Sequence, residues 1–206
     1  HTGATPTSLL LPAVVDATEG SGVPVLGAGG YYDGRGLVAA LAYGAQGIAM
    51  GTRFLLTQES HVPDHVKAIY VGTPVTGTVV TTAIDGAPQR VIRTEMIDEL
   101  EKAPSIARFP KAALNAFKFA RLSGTPIKDL VTSGLAMRKA QDLTWAQMAL
   151  AANAPMMTKA GVVDGRVEAG ILPTGQVVGS IEELPTVADV IAGIVAEAEA
   201  TLERLS

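Results

Sequence analysis

Two short apolar runs, each of strand length and each ending in glycine, most constrain what this chain can fold into. They cover Val23 to Gly27 and Gly47 to Gly51, and the segment between them, Asp33 to Tyr43, carries apolar residues at helical spacing. This order of strand, helix and strand predicts one right-handed βαβ unit with two parallel strands. Because both runs are apolar on both faces, we expect helices to cover the sheet on both sides.

Glycines follow both predicted strands, where they would let backbone N–H groups approach a bound anion closely. Gly27, Gly29 and Gly30 stand between the first strand and the helix, and Gly51 and Thr52 follow the second strand. Paired turns of this kind predict one phosphate held between them, as in barrel enzymes with a phosphate site after strands seven and eight. The alternative is that the glycines only form tight turns. Neither the dinucleotide-binding spacing nor the Lys-Ser or Lys-Thr of a P-loop is present.

Helices are predicted at both ends of the chain. Thr7 to Ala17 has an apolar face that we expect to pack against a barrel wall, made of Leu9, Leu10, Ala13, Val14 and Ala17. Thr186 to Arg204 has Thr186 as its N-cap and Asp189 at the capping-box position, and we expect this helix to cover the barrel.

Composition argues against several classes of function. The 206 residues carry a net charge of −4, which gives no reason to expect nucleic acid or a membrane surface as a partner. Cysteine is absent, which excludes disulfides, thiolate metal sites and a cysteine nucleophile. No apolar run approaches the about 20 residues of a membrane span, and we expect a cytoplasmic protein. His61 and His65 lie four apart, but Pro63 between them and the lack of a matching carboxylate predict no metal site.

The resemblance to a known family rests on two segments, HTGATPTSLLLPAVVDA and VPVLGAGGYYDGRGLVAALAYGAQGIAMGTRFLLTQES. They are similar to the C-terminal part of the nitronate monooxygenase family, formerly called 2-nitropropane dioxygenases. These are FMN-dependent (β/α)8 barrel oxidoreductases, and the FMN enoyl reductases are their relatives. The resemblance implies an α/β fold that is the C-terminal part of a (β/α)8 TIM barrel, to which a small α-helical lid region is appended.

We predict one domain made of three stretches. Residues 1–72 are expected to supply barrel strands seven and eight with their helices and the FMN phosphate site. Residues 73–160 are expected to form a hairpin that turns at Asp85-Gly86, followed by a helical lid, and residues 161–206 return to the flavin and then cover the barrel. The resemblance places the initial His-Thr-Gly at the end of the sixth strand. About five and a half preceding βα units would then be missing, and the chain is expected to need them.

The resemblance also implies which residues bind the cofactor. FMN would be held by the two turns and by a later Gly-Gln pair, which together comprise Gly27, Ala28, Gly29, Gly30, Met50, Gly51, Thr52, Gly175 and Gln176. Thr174 stands where the family has Ala before that pair. An amide suits a flavin because it both donates and accepts hydrogen bonds. The alternative for Gln176 is that it only supports a turn.

Three further residues are candidates for the chemistry or the substrate. His1 matches the base that takes a proton from carbon in nitronate-type members, although it remains open whether it is only a terminal residue. Arg90 and Arg93 are candidates for gripping a CoA phosphate, with the alternative that they are surface arginines of the hairpin. Arg53 is expected to pack against a neighbouring carboxylate rather than to touch a ligand.

Several hypotheses for function follow. The first is an FMN-dependent, nitronate monooxygenase-like enzyme that oxidises a carbanionic substrate with O2. The second is an NAD(P)H-linked FMN reductase or dehydrogenase of an enoyl or cyclic acyl-CoA thioester, because residues 86–160 resemble an actinobacterial branch implicated in steroid-ring degradation. The third is a non-catalytic barrel fragment that acts as an assembly module, and a phosphosugar isomerase or lyase on the same barrel is the fourth. The expected partners are a small-molecule substrate and, as an open possibility, further copies of the chain.

Overall fold

The computed structural model describes residues 2–102 and 153–206, which fold as α/β structure in two compact units. We call the first, Gly3–Thr78 with Thr174–Ser206, the glycine-turn unit. In chain order it contains helix α1 (Thr7–Ala17), strand β1 (Leu26–Ala28), helix α2 (Gly34–Ala42), strand β2 (Gly47–Ala49), helices α3 (Gly51–Leu55) and α4 (Asp64–Val71), two 3-10 turns (Val75–Gly77 and Gln176–Ser180) and helix α7 (Val187–Leu205).

The second unit, which we call the hairpin unit, comprises Thr2 and the described part of Val79–Pro173. It contains strands β3 and β4, which form a two-stranded sheet, and helices α5 and α6, the latter followed by a π-helical turn. Their bounds are Thr78–Thr81 for β3, Gln89–Ile92 for β4, Glu95–Lys102 for α5, Asn153–Thr158 for α6 and Lys159–Val163 for the π-helical turn.

The predicted βαβ unit is confirmed, with strands that are shorter than expected. β1 pairs with β2 in parallel, with Leu26 opposite Gly47 and Ala28 opposite Ala49. The strand predicted from Val23 begins later because Pro24 has no N–H to donate to a ladder. The N–H of Val25 is bound instead by the side-chain oxygen of Gln46, at 2.6 Å.

The expectation that helices bury both faces of this sheet is wrong for the part of the chain that the structure describes. Leu26 is 57% exposed, and the outer residues of β1 are exposed while Gly27 between them is buried. Leu26 and Ala28 point to the same face of the sheet, and this face is exposed in the described part of the chain. Apolar character on both faces of a strand therefore did not by itself predict coverage.

Helix α1 spans the predicted residues but buries a different side chain. Leu11 is 5% exposed and packs in a core cluster with Tyr31, Ala40 and Ala45, whereas Leu9 is 64% exposed. Leu10 and Val14 of the predicted face are exposed as well. Leucines at three consecutive positions, 9–11, make this helix apolar on several sides, so its sequence pattern does not select one buried face.

Helices α2 and α7 pack against each other at very short range. A Cβ added to Gly34 would lie 2.4 Å from the carbonyl oxygen of Ile194 and 2.5 Å from the amide nitrogen of Ala198, so only glycine fits at this crossing. The predicted cap of α7 is confirmed, because Thr186 and Asp189 form a reciprocal capping box. Of the predicted apolar face of α7, Val190, Ile194 and Ala198 are buried, whereas Ile191, Val195 and Leu202 are about half exposed.

The hairpin unit has its own apolar core, made of side chains from the β3–β4 connection, β4, α5, α6 and the segment after the π-helical turn: Ile84, Val91, Ile97, Met157 and Ile171. Asp85 closes the predicted turn, since its carboxylate accepts hydrogen bonds from the amide of Ala87 and the side chain of Gln89. Most of the helical lid expected within residues 73–160 falls on 103–152, outside the described residues. None of the helices in residues 2–102 and 153–206 is both long and apolar enough to cross a membrane.

Candidate functional site

The two glycine turns lie side by side at one edge of the β1–β2 sheet. Ala28 and Ala49 are paired, so Gly29 and Met50 are the residues that leave the two strands at the same level. Neighbouring strands are about 4.8 Å apart, which puts the turns within reach of one small group. The predicted juxtaposition of the turns is therefore present in the glycine-turn unit.

The three glycines of the first turn have different structural roles. A Cβ on Gly27 would lie 2.8 Å from the ring of Tyr31 and 3.0 Å from Leu11, so this glycine makes room for the core. Gly29 and Gly30 have φ angles of +97° and +89°, a conformation that side-chain-bearing residues rarely adopt. A Cβ on Gly30 would meet nothing within 4 Å, so this part of the turn borders open space.

The second turn also borders open space. Gly51 begins α3, and a Cβ at this position would contact no atom within 4 Å. Among the described residues, the amide groups of Gly51 and Thr52 have no hydrogen-bond acceptor. The side chain of Met50 packs against the core cluster, so this residue can contribute to the turn only through its backbone. The turn thus presents unsatisfied donors to a region that a ligand can enter.

The later Gly-Gln pair is attached directly to the second turn. The amide of Gly175 donates to the hydroxyl oxygen of Thr52 at 2.9 Å, which leaves the hydroxyl proton of Thr52 available for another acceptor. Gln176 is exposed, and its side chain has no hydrogen-bond partner among the described residues. This gives no support to the alternative in which Gln176 only supports a turn, and the amide is free to contact a ligand.

Further hydrogen bonds fix the chain around this pair. Three sets of hydrogen bonds join the segment after Thr52 to the segment after Gly175. The guanidinium of Arg53 donates to the carbonyl of Glu183, and the amide of Gln58 donates to the carbonyl of Pro185. In the opposite direction, the amide of Val187 donates to the carboxylate of Glu59. These bonds hold two distant segments of the sequence together, and they restrict where the Gly-Gln pair can lie relative to the second turn.

The start of helix α2, by contrast, is already occupied by carboxylates of the protein. Asp33 accepts from the amide of Gly36 at 2.8 Å, and Glu197 of α7 accepts from the amide of Gly34 at 2.7 Å. Arg35 is exposed and forms ion pairs with both carboxylates, which compensate its positive charge. A phosphate is therefore not expected at the first turn of α2, and the donors that remain are those of the glycine turns.

The donor set fits a phosphate group. Two turns with small residues offer backbone N–H groups and one hydroxyl proton, and these are the groups that bind phosphate at such turns in other proteins. Open space lies where a Cβ of Gly30 or Gly51 would point, which leaves room for the oxygen atoms of the ligand. Ala28 is exposed and its side chain is only a methyl group, which leaves the approach of a phosphate to the turns open.

Arg53 does not behave as expected, because its guanidinium is bonded to carbonyl oxygens. Its Nη2 donates to the carbonyls of Leu56 at 2.6 Å and Glu183 at 3.0 Å, and no carboxylate of the described residues lies within ion-pair distance. Burial lowers the pKa of Arg53, while the more distant charge of Glu183 opposes this effect. The predicted carboxylate neighbour is thus present only as a long-range charge.

The other candidate residues are His1, Arg90 and Arg93. His1 lies outside the described residues. Arg93 is exposed and ion-paired with Asp98 at 3.4 Å, whereas Arg90 is half-buried on β4. Within residues 2–102 and 153–206, no group of histidine, cysteine or acidic side chains has the arrangement of a metal site.

A groove of about 800 Å³ lies at the opposite end of the strands from the glycine turns. It is formed by the loops that precede β1 and β2, with Val15, Asp16, Thr18, Glu19, Gly20, Gly22, Val23, Pro24, Val25, Gly44 and Gln46 as its lining. In parallel α/β structures, ligands bind at the carboxyl ends of the strands. We therefore propose that the candidate site lies at the glycine turns and not in this groove.

Sequence reasoning missed two residues that shape the site. Glu197 fills the start of α2 from a position 163 residues further along the chain, and Lys67 is buried with its ammonium on the carbonyls of Thr57 and Gln58. No local signal pointed to either, because each role depends on a contact between segments. A glutamate on the polar side of a predicted helix and a lysine in a short helix are both ordinary surface patterns.

Comparison with known proteins gives the family. Residues 1–197 match the model of the family described as nitronate monooxygenase, and the chain belongs to this family. Its members are flavoenzymes, which supports a flavin as the cofactor.

Relatives of known name extend this result. The proteins named (3aS,4S,5R,7aS)-5-hydroxy-7a-methyl-1-oxo-octahydro-1H-indene-4-carboxyl-CoA dehydrogenase from Mycobacterium tuberculosis and Rhodococcus jostii are each 51% identical to the chain over its whole length. The chain covers 58% and 57% of their lengths, respectively, and so spans little more than half of these relatives. Among solved structures, FabK from Thermotoga maritima is similar over the whole chain, which covers 52% of FabK, with 30% identity and a TM-score of 0.67.

Proposed function

We propose that the whole protein is an FMN-dependent oxidoreductase, and that the glycine-turn unit holds the phosphate of its FMN. The observation that carries this proposal is the pair of turns at adjacent strand ends, whose free amides border open space in a chain that belongs to a flavoenzyme family. Gly29 and Gly30 would approach the phosphate from one strand and Gly51 from the other. A bound FMN would supply the two-electron chemistry that amino-acid side chains lack.

The residues around the turns have distinct roles in this proposal. Thr52 donates its hydroxyl proton to the phosphate while it accepts the amide of Gly175, so one side chain links the phosphate to the Gly-Gln pair. Gln176 then contacts the flavin ring or its ribityl chain, for which its free amide is suited. His1, which matches the base of nitronate-type relatives, takes a proton from the substrate carbon.

For the substrate we propose a cyclic acyl-CoA thioester. Two relatives that are 51% identical to this chain are named as dehydrogenases of such a thioester, which supports this class over a small nitroalkane. Arg90 and Arg93 are the candidates for gripping a CoA phosphate, since guanidinium groups match phosphate oxygens. NAD(P)H remains a candidate partner for exchanging electrons with the flavin.

Oxidation of a nitronate with O2 is the second candidate function, and the family model favours it. Both candidates share the same cofactor and the same base, so they differ only in the substrate and in the electron acceptor. For both we propose a complete (β/α)8 barrel in the whole protein. The length of the relatives supports this proposal.

The test begins with the absorption spectrum of the whole protein and its titration with FMN. We expect flavin bands and quenching of flavin fluorescence on binding. Anaerobic addition of a cyclic hydroxyacyl-CoA should then bleach the flavin, whereas bleaching by a nitronate, followed by reoxidation in air, would favour the second candidate. A folded protein that binds no flavin would contradict both and favour a non-catalytic assembly role.

A further inference from the structure

Two cationic side chains, Arg53 and Lys67, are buried under the segment that follows the Gly51–Thr52 turn. They are 9% and 3% exposed, respectively. Among residues 2–102 and 153–206, neither has a carboxylate within ion-pair distance. Because burial of a charge without an opposite charge is unfavourable, this pair of cations calls for an anion nearby.

The polar contacts of both cations are backbone carbonyls. Arg53 donates to the carbonyls of Leu56 and Glu183, and Lys67 donates to those of Thr57 at 2.8 Å and Gln58 at 3.3 Å. These bonds satisfy hydrogen-bonding groups, but a carbonyl carries no net charge that would neutralise a cation. The Nε atom of Arg53 is buried and has no hydrogen-bond partner among the described residues. Glu183 is exposed, so water screens its carboxylate.

Both charges are bound to carbonyls that directly follow the helix that begins at the second glycine turn. Leu56 directly follows the last residue of α3, and this helix is five residues long. At 1.5 Å per residue, the Leu56 carbonyl that Arg53 binds lies about 8 Å along the helix axis from the turn. At this distance a charge in a medium of low dielectric constant still attracts an anion appreciably.

We propose that Arg53 and Lys67 form a buried pair of positive charges behind the Gly51–Thr52 turn. This pair makes the site selective for a phosphorylated flavin over a flavin without phosphate. The inference rests on the proposed function, since it needs the phosphate at this turn. Neither side chain touches the phosphate. Both act through space on its double negative charge, which explains why two cations are buried without a paired carboxylate in the described part of the chain.

A purely structural role makes a different prediction. If Arg53 and Lys67 only fasten carbonyls at the end of α3, their loss should loosen the turn and weaken the binding of all flavins alike. If their charge selects the phosphate, their loss should weaken binding of FMN and leave riboflavin, which lacks the phosphate, nearly unaffected. The ratio of the two dissociation constants therefore separates the two roles.

The experiment measures this ratio by fluorescence titration of the whole protein with FMN and with riboflavin. Arg53→Gln and Lys67→Gln remove the charge but keep an N–H donor for the carbonyls. We expect each to weaken FMN binding about five- to tenfold and riboflavin binding less than about twofold. Arg53→Lys keeps the charge and should retain most of the ratio.

Arg35→Gln is the matched control, because Arg35 is exposed and already paired with two carboxylates. It should leave the ratio unchanged. Equal weakening of both flavins in the Arg53 and Lys67 variants, or an unchanged ratio, would overturn the inference. Should these variants fail to fold, the wild-type protein still tests the inference. Equal affinity of the wild type for FMN and riboflavin would overturn this inference but not the proposed function. Wild-type protein that binds neither flavin would instead overturn the proposed function.

Discussion

Helices α2 and α3 begin in similar sequence contexts but differ in what binds the backbone amides of their first turns. Each follows a strand of the same parallel pair and contains glycine at or near its first residue. The amides at the start of α2 are bound by Asp33 and Glu197, whereas those at the start of α3 have no acceptor among the described residues. One helix start is completed by the protein itself, and the other offers its donors to a ligand.

This difference separates stability from binding within one unit. Where carboxylates of the protein fill a helix start, mutations should change the free energy of unfolding. Where the donors remain free, mutations should change the affinity for the ligand with little effect on unfolding. The comparison therefore yields three predictions, in order of decreasing effect.

The largest effect is expected for Gly34→Ala. Its Cβ would lie 2.4 Å from the carbonyl oxygen of Ile194, so the backbones of α2 and α7 must move apart. We expect a loss of about 3 kcal/mol in the free energy of unfolding, the upper part of the usual range for overpacking. Gly193→Ala in α7 is the control, since a Cβ there meets nothing within 4 Å, and it should stabilise by about 0.5–1 kcal/mol. Chemical denaturation of both variants measures the difference, and similar values for the two would contradict the close crossing.

A smaller loss of stability is expected for Glu197→Ala. The amide of Gly34, a buried residue, would lose its acceptor, which costs about 1–2 kcal/mol. Glu197→Gln keeps an oxygen acceptor and loses only a solvent-screened pair with Arg35, so its cost should be about 0.5 kcal/mol. Thermal unfolding distinguishes the two variants. The comparison of the two helix starts would be contradicted if Glu197→Ala changed the free energy of FMN binding more than the free energy of unfolding.

The smallest effect on folding, and a clear effect on the ligand, is expected for Gly51→Ala. The added methyl group meets no atom of the described protein, and alanine favours a helix, so stability should be unchanged or slightly higher. The same methyl group would enter the space proposed for the phosphate and should weaken FMN binding about tenfold, or about 1.4 kcal/mol. Titration with FMN beside a melting curve gives both values. Unchanged FMN affinity would remove Gly51 from the proposed site.

Local sequence signals predicted much of the glycine-turn unit. The capping box of α7, formed by Thr186 and Asp189, was predicted because its hydrogen bonds lie within three residues. The cap of α2 by Asp33 is equally local. The pairing of the two strands followed from their apolar runs and the helix between them. The two turns were predicted for the same reason, because a glycine after each strand is a local feature.

The prediction was less successful where a residue's environment depends on distant segments. Which leucine of α1 is buried depends on the ring of Tyr31, and the neighbour of Arg53 proved to be a pair of carbonyls. The sequence by itself determined the family, the two strands, their helices and the glycine turns, because these are set by local spacing and capping. Only the tertiary structure decided which helix start is filled and which cations are buried. These outcomes depend on contacts such as that of Glu197 with Gly34, between residues far apart in the chain.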